Sequence, residues 1–97
     1  MHTKQYTFTM FHNATMTALE RQKLLERLQD ITPTATMKKT GGCENEITAT
    51  ITANASEIDT EALKGAAELL ARSFKRFING KAYSVGVGNK TLFTERL

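Results

Sequence analysis

The 97 residues leave room for one domain with one modest core, and a hydrophobic share of 40% beside 24% charged residues excludes a disordered chain. A net charge of +3 is mild and supports nucleic-acid binding only weakly, since strongly basic binders concentrate Lys and Arg more densely. The single cysteine, Cys43, excludes an internal disulfide and a metal site built from thiolates.

Lys4 to Phe11 alternate, with Tyr6, Phe8 and Met10 on one face and Gln5, Thr7 and Thr9 on the other, the period of a half-buried strand. His12 to Met16 form a short connection. Thr17-Ala18-Leu19-Glu20 then matches a capping box, in which the Thr hydroxyl accepts from an orphan amide while the Glu reaches back. Leu24, Leu25, Leu28 and Ile31 recur at helical spacing, and Glu20, Arg21, Lys23, Glu26 and Arg27 supply the wet side. Pro33 disfavours helical geometry at Thr32, so the first helix ends near Asp30 or Ile31.

Thr34 to Thr40 reads as a second strand, with Ala35 and Met37 inward. Gly41-Gly42 signals a turn, and Gly42 to Asn45 complete a hairpin loop. Ile47, Ala49, Ile51 and Ala53 alternate with Thr48, Thr50 and Thr52 as a third strand, whose small alanines let a helix approach closely. Asn54, Ser56 and Asp59 are all competent caps for a second helix. Its apolar stripe is Leu63, Ala67, Leu70, Phe74 and Phe77, and Gly80 reads as a left-handed stop. Ala82 to Gly88 returns as a strand with Tyr83, Val85 and Val87 on one face. Gly88-Asn89-Lys90 then turns the chain into a short fifth strand, Thr91 to Glu95, the alternative being a tail.

The order β-α-β-β-α-β over a single domain, residues 1–97, predicts a ferredoxin-like α+β sandwich, an antiparallel sheet with two helices on one face. Right-handed crossovers put the first and third strands in the centre. No apolar run nears the roughly 18 residues of a membrane span, and the N-terminus lacks a signal-peptide stretch. A cytoplasmic, reducing setting is therefore expected. The N-x-S/T triplets at Asn13, Asn54 and Asn89 read as coincidence in so Thr-rich a chain.

With the large apolar residues turned toward the helices, the opposite sheet face shows Gln5, Thr7, Thr9, Thr48, Thr50, Thr52, Ser84 and Gly86. That smooth, uncharged surface reads first as a solvated sheet face using Thr for its strand propensity, and in its sharper reading as a docking surface for another protein or a second copy of the chain. It argues against base stacking in the manner of RNA-recognition modules, whose aromatics sit on the open face. Here only Phe11 has that phase.

His12 lies where such a fold carries a functional loop, but no carboxylate or nucleophile accompanies it at local spacing, so a solvated loop histidine is expected. Cys43 is flanked by Glu44 and Glu46, which disfavour a thiolate. Gly41-Gly42 and Gly86-Val87-Gly88 do not precede helices, as phosphate-binding loops must. Without a catalytic, cofactor or metal-ligand motif, a non-enzymatic protein is expected.

The charged features expected to steer a partner are Lys38 and Lys39 on an edge strand, with Arg72, Lys75, Arg76 and Lys81 around the end of helix two. The first expectation is a small interaction protein, such as a phage or mobile-element accessory protein that inhibits a bacterial defence complex by binding it. A weak nucleic-acid binder using the same cations is the alternative. A dimeric small-molecule-binding or enzymatic α+β domain is the third.

Overall fold

The computed structural model describes residues 3–54 and 60–97. Five strands and two helices follow in the order β1 (Thr3–Asn13), α1 (Ala18–Ile31), β2 (Thr36–Lys39), β3 (Glu44–Asn54), α2 (Thr60–Phe74), β4 (Ala82–Val87) and β5 (Lys90–Arg96). They make one antiparallel sheet in the order β2-β3-β1-β4-β5. The first four strands carry the β-α-β-β-α-β connectivity expected, and the fifth adds a hairpin at the β4 edge. Among the described residues no helix is long and apolar enough to cross a membrane.

Period-two alternation sets which side chains are buried. Phe8, Met10, Ile47, Ala49, Tyr83 and Val85 turn from the sheet to meet Leu28 of α1 and Leu63, Ala67, Ala71 and Phe74 of α2 in one cluster. Phe8 is its centre: the Phe74 ring meets it edge-on at 5.7 Å, and Tyr83 stacks on it at 5.5 Å. Such aromatic pairs contribute beyond their buried area. The small residues Ala67 and Ala71 on α2 and Ala49 on β3 let that helix lie close to the sheet.

Local chemistry sets the helix ends. Thr17 Oγ1 accepts from the Glu20 amide at 3.2 Å, and Glu20 Oε1 accepts from the Thr17 amide at 2.9 Å. Hydrogen bonding from the Thr17 amide, and next from the Thr17 hydroxyl, holds the Glu20 carboxyl below its ordinary pKa, so the Glu20 half of the cap is present above the carboxylate range and is lost as pH falls through it. Thr17→Ala should cost about 1 kcal/mol, read as a lower urea midpoint. Thr32, extended at φ −147° before Pro33, stops α1.

The structure departs from the sequence pattern at several positions. The third strand begins at Glu44, so Asn45 is a strand residue, not part of the hairpin loop. Phe77 lies beyond α2 and is 39% exposed, while Ile78 takes the buried place. Gly80 is no left-handed stop, since among the described residues only Gly88 has positive φ, at 58°. The constraint on Gly80 is space: a Cβ there would come within 2.6 Å of Met10 Cγ and Sδ. Of the candidate caps, Asn54 closes β3, and Ser56 and Asp59 lie outside the described residues.

The fifth strand is present. Gly88 and Asn89 form the two-residue turn between the paired Val87 and Lys90. Positive φ at its first position alone is the pattern of a type II′ hairpin.

Candidate interaction surfaces

The face away from the helices is paved by hydroxyls in register. Thr36 of β2 is opposite Thr48 of β3, which is opposite Thr9 of β1; Thr9 is opposite Ser84 of β4, and Ser84 opposite Thr94 of β5. One row of five hydroxyls thus crosses the whole sheet, about 19 Å at ordinary strand spacing. Thr50, Thr7, Gly86 and Thr91 form the next row, and Thr52 with Gln5 a third. Thr36 and Thr48 hydrogen-bond through their side chains.

No charge falls within these rows. The charges stand at one margin, where Lys38 is opposite Glu46 and Glu46 opposite Phe11, itself 44% exposed. Because neighbouring strands rotate by roughly 20–25°, the face is a twisted saddle rather than a plane. The aromatics other than Phe11 are turned away from it: Phe8 and Tyr83 are buried and Tyr6 is partly buried in the core layer.

The basic residues expected to act together are spread over four places. Lys38 and Lys39 are exposed on β2, at the sheet edge opposite β5. Arg72 is tied to Glu68 at 3.0 Å, and with Lys75 it lines a hollow between α2 and the β4–β5 hairpin. That hollow also holds Glu61, Glu95 and the Tyr83 phenol. Burial and the carboxylates of Glu68 and Glu95 raise the phenol's pKa, with Arg72 opposing. Lys81 is exposed beyond Gly80, and its carbonyl accepts from the Leu97 amide at 2.9 Å.

Arg76 points elsewhere. It lines a groove of about 560 Å³ between α1 and the turn after α2, together with Lys23 and Arg27, which the helical pattern had placed simply on the wet side of α1. Met16, Leu24 and Phe77 supply its apolar surface. The Arg27 guanidinium lies 5.6 Å from the centroid of the Phe77 ring.

His12 is not a solvated loop residue. It is the penultimate residue of β1, 8% exposed, and continues the inward phase of Phe8 and Met10. Its Nδ1 lies 2.9 Å from Asn79 Oδ1 and 3.1 Å from the Asn79 amide. Either neutral tautomer therefore finds a partner, by donating to the oxygen or accepting from the amide. Two further bonds hold Asn79: its Oδ1 accepts from the Asn13 amide, and its Nδ2 donates to the Asn13 carbonyl.

Directly opposite His12 in the register is Asn45, 1% exposed. Its Oδ1 accepts from Arg21 of α1, and its Nδ2 donates to the carbonyls of His12 and Ala14, each at 3.3 Å. This pair pins the β1–α1 connection to the sheet. Cys43 is exposed in the adjoining turn, where its carbonyl accepts from the Ala14 amide at 2.7 Å.

Among the described residues no three of His, Cys, Asp and Glu gather as metal ligands. The chain was compared with protein-family models, curated proteins and solved structures, and none of them matches it.

Proposed function

We propose that this chain is a small non-enzymatic interaction domain that occupies a surface of a larger protein through its open sheet face. The row Thr36, Thr48, Thr9, Ser84 and Thr94 carries the reading. A contact centred there desolvates hydroxyls instead of charges, in keeping with the charge-depleted centres of protein interfaces. Threonine is stiff about χ1, so little side-chain entropy is lost on contact. Phe11, Glu46 and Lys38 at the margin add an aromatic anchor and a charge pair that fix orientation.

In its most specific form the partner is a bacterial defence complex that a phage or mobile-element protein must block, a task for which a compact binding domain suffices. A second copy of the chain is the other occupant of the same face.

Capture from host lysate tests the reading when the wild type is run beside Thr9→Lys/Thr50→Lys and beside Lys75→Glu. Both threonines lie on the open face and Lys75 does not. The double lysine variant should melt like the wild type yet hold the partner at least roughly tenfold more weakly, about 1.4 kcal/mol. Lys75→Glu should retain it. Undiminished capture by the double lysine variant would remove the open face from the account.

A further inference from the structure

We infer that the groove between α1 and the turn after α2 is a second contact site, which takes an acidic, leucine-bearing segment of a partner protein. It lies on the helix side of the molecule and stands or falls apart from the open-face reading. Three cations border it, Lys23, Arg27 and Arg76. Among the described residues none of the three is in an ion pair, whereas Lys64 pairs with Glu95 and Arg72 with Glu68.

The nearby carboxylates offset them only in part. Glu20 also lines the groove and keeps its charge while its Oε1 accepts from the Thr17 amide, so one carboxylate there faces three cations. Asp30 sits in the adjoining hollow with Arg27 and Arg76 and reaches neither within ion-pair distance. An excess of positive charge is left over a surface of Met16, Leu24 and Phe77. Charge alone would attract any polyanion. The apolar floor narrows the choice, since an occupant must bring apolar side chains along with its carboxylates.

Two details favour peptide over nucleic acid. One aromatic ring lines the groove apart from His12, and Arg27 lies over it, which hinders a base from stacking there. Arg27 so placed presents a planar fork of donors that suits a carboxylate. His12 adds a polar contact. Its Nδ1 is engaged by Asn79, its Nε2 has no protein partner, and no buried side-chain nitrogen or oxygen among the described residues lacks one. Nε2 is therefore not fully buried, and His12 is among the residues that line the groove.

The test is a titration of isotope-labelled protein, followed by NMR, with a short synthetic peptide alternating Glu and Leu. Parallel arms use a Lys–Leu peptide of equal length and an oligouridylate. Saturable shifts are expected at Leu24, Arg76 and Phe77 with the acidic peptide, weakening as salt rises. The Lys–Leu peptide should produce none. Arg27→Glu/Arg76→Glu should reduce affinity at least roughly tenfold, and Arg76→Gln by less. Thr9→Lys/Thr50→Lys should leave it unchanged, which separates this site from the open face. The inference is overturned by the absence of saturable shifts, by equal binding to the charge-reversed variant, or by tighter binding of the oligouridylate in the same groove.

Discussion

Phe8→Ala should abolish the cooperative unfolding transition. Truncating a fully buried Phe costs about 3–5 kcal/mol, because transfer energy is lost and a cavity remains. A domain of this length commands about 5 kcal/mol in all. The cavity cannot collapse easily: Phe8 is 0% exposed and lies between the Phe74 and Tyr83 rings, which hold the sheet to α2. Phe11→Ala is the matched control, an aromatic on the same strand with the opposite phase and 44% exposure. It should change stability by no more than about 0.5 kcal/mol. Urea titration followed by circular dichroism reads both, and similar losses from the two would mean that the strand's phase is wrong.

Asn45→Ala should cost about 1–3 kcal/mol, because it strands partners that remain buried or half-buried. Arg21 loses its acceptor, and the carbonyls of His12 and Ala14 lose a donor. Arg21→Ala removes one partner and leaves the two carbonyl bonds intact, so it should cost less. A double-mutant cycle between the two should show coupling of about 0.5 kcal/mol or more. Midpoints within about 0.5 kcal/mol of wild type for Asn45→Ala would show that water replaces the amide freely.

Much of this fold was written locally. Alternation in β1, β3 and β4, the Thr17–Glu20 box and Pro33 each act within a few residues, and the elements follow in the order those signals give, with β3 starting earlier than its apolar pattern. The open face followed by subtraction. Continuing the same parity by one step would have found more: His12 shares the phase of Phe8 and Met10, and Asn45 that of Ile47 and Ala49, so two polar residues were due on the inner face. Their polarity made them read as loop, whereas partners distant in sequence satisfy them.

What remained hidden depends on tertiary packing. Asn79 reaches His12 across most of the chain, and Met10 fills the space beside Gly80. Neither leaves a local pattern. The cations near the end of α2 looked like one group because they are close in sequence. The helix turns Arg72 and Lys75 toward β4–β5 and Arg76 toward α1, where Lys23 and Arg27 join it.

The most direct test of the open-face account is cross-saturation of threonine methyl groups in the complex with the captured partner. The account predicts the strongest attenuation at Thr7, Thr9, Thr48 and Thr50, in the two central hydroxyl rows. Attenuation confined to Thr15, Thr17 and Thr32, at the two ends of α1, would contradict it.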